Sequence, residues 1–234
     1  MLTIVGEAAP IILAVEPVKA NSKWESDDAT RTPKAEVVDR LLIEAQKHVD
    51  LHLVLADRGF DAHAVLDTID QHGLEYLIPT RTYRADLEGV AKVEDHPTSD
   101  VAVEPDVELR VDGRCHEVNF LYVPSTSDEG EYAVFLSDRD DVAPADVRGL
   151  YDRYSRRWTI ENEYKQSKQF LPTTASADYR VRAFTFVFSC LLYNVWRLAD
   201  HLLRLEVNGP VRDRPVATAG ETIELLACVL VPCG

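Results

Sequence analysis

The sequence predicts an α/β fold interrupted by a β-rich insertion, and three observations carry that reading. An apolar run at residues 51–56 (L-H-L-V-L-A) has the length and texture of a core strand, and it ends in Asp57-Arg58-Gly59-Phe60. Helical periods flank it, at 34–49 before and 62–73 after. From 82 to 142 the helical period gives way to short alternating runs.

Taken in order, the elements begin with two strand-like runs, 2–5 and 11–18, separated by Gly6 and Pro10. The second is almost continuously apolar, as expected of a strand buried on both faces. A polar loop covers 21–32. Pro33 then opens a helix, where its fixed φ is already helical and its missing N–H costs nothing. Val37, Val38, Leu41, Leu42 and Ala45 form its apolar side. Residues 62–73 read as a helix closed by Gly73, and 75–79 as another short strand. The β-rich stretch alternates at 107–111, 117–123 and 131–136, with turns at Asp112-Gly113 and Glu129-Gly130. Helical texture returns at 145–149 and 151–169. After Leu171-Pro172, residues 181–205 read as an apolar helix, amphipathic only at its end, with the most apolar run, 183–196, as a buried helix. A tail from 208 holds Pro210, Pro215 and an apolar segment at 222–231. The domain organisation expected is a core in two parts, 1–81 and 144–205, an insertion at 82–143 and a tail at 206–234.

Charge bounds the function. The formal net charge is −15, which taken globally opposes a phosphate-binding role. Its distribution says otherwise: residues 1–150 carry a net −17, whereas 151–204 carry nine Lys/Arg against five Asp/Glu. An acidic surface whose cations are mostly Arg looks halophilic, and near-molar salt shortens the Debye length to about 3 Å. The four cysteines (115, 190, 228, 233) have no metal-ligand spacing. They read as free thiols, Cys228 and Cys233 as buried ones. The seven histidines likewise form no ligand set. No basic leader opens the chain, and the most apolar run, 183–196, is too short to span a bilayer. A soluble, cytoplasmic protein without a membrane partner is expected.

The chemistry concentrates in residues 154–168, Y-S-R-R-W-T-I-E-N-E-Y-K-Q-S-K, a stretch without Gly or Pro that reads as one helix. At about 100° per residue, Tyr154, Arg157, Glu161, Lys165 and Lys168 share roughly an 80° arc. A carboxylate can hold a divalent metal, and Arg and Lys can grip phosphate. The plainer reading is a solvated helix face with one favourable i,i+4 pair, Glu161–Lys165, worth about 0.2–0.5 kcal/mol. Asp57, at the end of a core strand, sits where α/β folds build sites; the plainer reading there is a cap for the helix beginning near Ala62. Two carboxylates far apart in sequence suit a divalent-metal site for phosphodiester chemistry, with oxygen ligands that favour Mg²⁺ or Mn²⁺ over zinc.

The spacing Tyr154-x2-Arg157-x3-Glu161-x6-Lys168 resembles the Y-R-E-K signature of DDE insertion-sequence transposases of the IS-four type. Asp57-Arg58-Gly59-Phe60 resembles the D-x-G-F motif around their second catalytic Asp, and the β-rich insertion between the two motifs is also a feature of that family. The resemblance, over roughly residues 1–205, implies a ribonuclease-H-like fold and DNA transposition by metal-dependent end cleavage and strand transfer. It implies Asp57 and Glu161 as catalytic, metal-binding carboxylates with Mg²⁺ or Mn²⁺. It further implies Tyr154, Arg157 and Lys168, with Lys165 beside them, as contacts to DNA, and a homodimer in a synaptic complex. The first strand of that fold, with its Asp, has no counterpart here, since no D-x-T-like motif precedes Ile11. The carboxylates upstream of the first helix (Glu7, Glu16, Glu25, Asp27, Asp28) lie at edges or in a loop. An N-terminally truncated copy with impaired activity is therefore expected. The alternatives are a non-catalytic remnant that binds DNA ends or inhibits a full-length transposase, and an unrelated metal nuclease of the same fold class.

Overall fold

The computed structural model describes residues 1–4, 10–18, 33–81, 89–91, 93, 100–111, 114–124, 132–207 and 215–230. The predicted loop at 21–32, both predicted turns in the β-rich stretch, Glu7 and Cys233 lie outside the described residues. The chain divides into two compact units, one of 32–157 and one formed by 1–31 with 158–234.

The first strands belong to the second of these. β1 (Leu2–Thr3) and β2 (Ile12–Ala14) form a two-stranded antiparallel sheet of their own. The run predicted as an eight-residue core strand is thus three residues long. Pro10 and Pro17 bracket it, and the Asn194 side chain takes both polar groups of Ile12: its Nδ2 donates to the Ile12 carbonyl at 2.8 Å and its Oδ1 accepts the Ile12 N–H at 3.0 Å.

The unit of 32–157 is built on one mixed sheet. α1 (Lys34–Gln46) follows Pro33 and buries Val38, Leu41, Leu42 and Ala45. β3 (Leu53–Leu55) runs parallel to β4 (Glu75–Pro79), and between them lies α2 (His63–Gln71). The β-rich stretch supplies β5 (Ala102–Val111), β6 (Arg114–Pro124) and β7 (Tyr132–Ser137) to the same sheet, in the order β3-β4-β7-β6-β5. β7 pairs antiparallel with β4, and β6 with β7 and β5. The run 51–56 was expected to be a buried core strand, yet β3 covers three of its residues and all three are half-buried. Among the described strands it lies at the sheet's edge, paired to β4 alone.

Alternation along β4 sorts the two faces. Leu77 packs with Leu121, Phe135 and the helix α3 (Pro144–Ser155), which inserts Val147, Leu150 and Tyr154 into that cluster. Tyr76 points the other way: its hydroxyl pairs with His116 Nε2 at 2.8 Å, and His116 Nδ1 lies 3.2 Å from Asp67 of α2. His116 thus belongs to a half-buried polar chain that ties α2 to the sheet.

In the other unit, α4 (Trp158–Ser167) runs into a 3₁₀ turn (Lys168–Phe170), followed by α5 (Tyr179–Val207) and α6 (Ala219–Leu230). Ile12, Phe170, Cys190, Tyr193, Trp196 and Ala219 form its core. The inward face of α5 carries several polar groups that hold backbone or charge partners, although Arg197 Nε is buried without a hydrogen-bond partner among the described residues. Trp196 Nε1 donates to the Ala217 carbonyl, and buried Asp200 accepts the Val216 N–H and Arg204 Nε. The outward face is apolar, so α5 is not the buried helix expected. Cys228 is exposed on α6, also against expectation, because its side of that helix faces no partner among the described residues. Among the described residues no helix is long and apolar enough to cross a membrane.

Candidate functional site

The predicted helix 154–168 is two helices. α3 ends at Ser155, Arg156 and Arg157 form a turn, and α4 begins at Trp158. The Ser155 hydroxyl donates back to the Asp152 carbonyl at 2.8 Å, and the Arg157 N–H bonds Tyr154 rather than a carbonyl four residues back. The ladder tightens and the helix stops. The five-residue arc is therefore not one continuous helix face. Asp57, Tyr154 and Arg157 belong to one compact unit, and Glu161, Lys165 and Lys168 to the other.

In the first unit, β3 delivers the chain to Asp57. Its Oδ1 accepts the Gly59 N–H at 2.9 Å and caps the 3₁₀ turn Arg58–Phe60. The carboxylate is indeed a cap, but of this turn; α2 starts from Ala62 without a side-chain cap. A Cβ at position 59 would sit 2.9 Å from Asp57 Oδ1, so a larger residue there would push the carboxylate off its cap. Lys34 Nζ donates to the Gly59 carbonyl and lies over the Phe60 ring. Asp61 accepts the Thr80 hydroxyl at 2.6 Å, fastening the far side of the turn.

Tyr154 is buried in the sheet cluster, its ring edge-on to Phe135 at 4.8 Å. The Arg157 guanidinium lies 5.1 Å from the centre of the Tyr154 ring. Burial pushes the phenol above its ordinary value and the Asp57 charge adds to this, while Arg157, by charge and hydrogen bond, and Arg58, by charge, pull it down. The phenol thus stays protonated, a donor within the fields of two guanidinium groups and one carboxylate. Arg157 Nε is buried without a hydrogen-bond partner among the described residues. A buried donor left unmatched costs about 1–3 kcal/mol.

In the second unit, Glu161 and Lys165 are exposed on α4, four residues apart and so on one face. Lys168 stands in the 3₁₀ turn, with its Nζ 4.0 Å from the centre of the Tyr164 ring; that ring leans on Phe186 at 6.0 Å. Arg58 and Lys34 were not singled out from the sequence. A signal for Lys34 was there: a cation at a helix N-terminus opposes the helix dipole and calls for a compensating partner, here the Gly59 carbonyl.

A metal does not fit the described residues as they stand. No group of three or more His, Cys, Asp or Glu side chains there could hold one, and one oxygen of Asp57 is already committed to its own turn. A step through Mg²⁺ or Mn²⁺ therefore has no ligand set to rest on among them.

A mixed sheet whose edge strand ends in an acidic turn, with a buried phenol stacked under Arg157 and within the fields of Arg58 and Asp57, defines an α/β domain with a charged, aromatic site. The family model of the transposase DDE domain matches residues 28–195, and the chain belongs to that family. No curated protein matches it.

Proposed function

We propose that this chain is a transposase-type protein of the IS-four type that binds the ends of a DNA element, and that its cleavage and strand-transfer chemistry is impaired. The observation that carries the reading is the Arg157 guanidinium, held on the Tyr154 ring with its buried Nε unpaired among the described residues, while Arg58 acts by charge on the same phenol. Such a group is a donor set waiting for a phosphate oxygen. Lys165 and Lys168 are the remaining proposed DNA contacts, and Asp57 and Glu161 the proposed carboxylates for Mg²⁺ or Mn²⁺. Two carboxylates are too few to clamp the two metal ions that in-line phosphodiester transfer uses, which supports impairment. The same ligand count favours the second reading, a DNA-end-binding protein without catalysis that interferes with a full-length transposase.

Titrating a fluorescent duplex over a series of salt concentrations tests the binding. Arg157→Ala and Lys168→Ala should each weaken it across sequences and lower the slope of log K against log salt by about 1. Glu161→Gln should leave binding unchanged. Equal salt slopes in all four proteins would remove the DNA reading. A plasmid nicking assay with Mg²⁺ or Mn²⁺ separates the two readings: strong product that disappears in Glu161→Gln would overturn the impairment, and slow Glu161-dependent nicking distinguishes an impaired enzyme from a pure binder.

A further inference from the structure

Lys34 opens α1 at the end where the helix dipole is positive and opposes its charge. Its own first turn gives it no counter-ion, since Glu36, the acidic residue there, is bound to Arg40. The ammonium turns instead to the residues that follow β3. Its Nζ donates to the Gly59 carbonyl and stands 5.9 Å from the centre of the Phe60 ring. A Cβ built on Gly59 would lie 2.9 Å from Asp57 Oδ1 and 3.8 Å from Lys34 Nζ, so carboxylate and ammonium flank one point. The turn's other carboxylate, Asp61, is engaged by the Thr80 hydroxyl at 2.6 Å. All of these residues belong to the one compact unit of 32–157, and the arrangement is internal to it.

We infer that Lys34 is the resident cation of the Asp57 turn: its ammonium supplies, beside that carboxylate, the positive charge that a divalent ion would bring, and so disfavours the ion. The inference rests on the proposed reading of Asp57 as a metal-facing carboxylate and deepens it, adding a reason for impairment besides the ligand count. Two effects act together. Mg²⁺ and Mn²⁺ take hard oxygen ligands, and the two oxygens this turn could offer, the Asp57 carboxylate and the Gly59 carbonyl, already face an ammonium. Lysine is also a compact point charge that repels a second cation. At a separation of about 5 Å in a water-like dielectric, that repulsion lowers the affinity for a dication about tenfold, and about fivefold once physiological salt screens it.

Titrating the full chain with Mn²⁺, without DNA, and following the paramagnetic broadening of the Gly59 and Phe60 amide signals by nuclear magnetic resonance tests the inference. The buffer is the most dilute one that keeps the native circular-dichroism spectrum. Lys34→Met should broaden those signals at about fivefold to tenfold lower Mn²⁺ than the wild type. Lys34→Arg, which keeps the charge, should follow the wild type, and adding Asp57→Asn to Lys34→Met should cancel the gain. Should Lys34→Met disturb the turn, Lys34→Gln is neutral, keeps an N–H for the Gly59 carbonyl and must move in the same direction. Equal Mn²⁺ requirements in the wild type and the neutral variants overturn the inference, as does a gain that survives Asp57→Asn. No broadening at Gly59 in any of the proteins would remove Asp57 as a metal-facing carboxylate, and the inference with it. Because the readout needs no DNA, a failed duplex titration leaves the inference in place, and a failure here leaves DNA binding in place.

Discussion

Asp138 shows how one side chain couples the sheet to pH. Its Oδ1 accepts the Tyr76 N–H at 2.8 Å, which favours the charged form, yet burial outweighs this and lifts the carboxyl to about 6, with Glu75 and Asp70 adding to the rise. The folded value lies above the unfolded one of about 3.9, so between the two the folded state binds more protons. The contribution is therefore fully present below about pH 4 and is lost as pH rises through about 6. Allowing for solvent screening of a half-buried group, the loss is about 1 kcal/mol. Asp138→Asn keeps an oxygen to accept the Tyr76 N–H and removes the charge. Urea denaturation of both proteins at several pH values should show the variant gaining on the wild type as pH rises through that window. Parallel stability curves would mean that the acid is not the source.

At the scale of elements, Gly73 closes α2 with φ of +66°, and nothing lies within 4 Å of where a Cβ would stand. The cost of Gly73→Ala is then conformational alone, about 1 kcal/mol for an L-residue in the left-handed region. Chemical denaturation at fixed pH should read that loss, and an unchanged midpoint would show that the turn can relax. Punctuation of this kind is what made α1, α2 and β4 legible: Pro33 and Gly73 mark ends, and β4 runs over the expected residues 75–79. The break at Arg156-Arg157 carries no Gly or Pro. It depends on a serine hydroxyl bonding backward and on Tyr154 anchoring α3 in the sheet cluster, and both are outcomes of packing. The Asp57 turn was legible as a strand end, but its tie to Lys34 was not, because that contact joins residues 25 positions apart. α5 misled for a different reason. Its apolar content suggested burial, whereas its inward face is spent on Asn194, Trp196 and Asp200 holding backbone groups of Ile12, Val216 and Ala217.

At the scale of the whole molecule, a net charge of −15 sets two salt dependences against each other. Like charges on a folded chain repel, and the unfolded chain spreads them apart, so dilute solution destabilises the fold. Salt near molar cuts the Debye length to about 3 Å and removes most of that penalty. If the acidic surface serves high-salt conditions, melting in molar KCl should exceed that in dilute buffer by roughly 5–10 °C, the equivalent of 2–3 kcal/mol for a chain of this size. A non-ionic osmolyte should not reproduce the gain, since exclusion from the surface acts without screening charge. A melting temperature insensitive to KCl would end the halophilic reading. DNA binding runs the other way: each phosphate contact displaces counterions and loses affinity as salt rises. A protein stable only in high salt must then hold DNA through groups that bulk salt screens least. Arg157, half-buried with its Nε shut away from solvent, is such a group; Lys165 and Lys168, both exposed, are not. In concentrated KCl the penalty for Arg157→Ala should therefore exceed that for Lys168→Ala, whereas in dilute salt the two should converge.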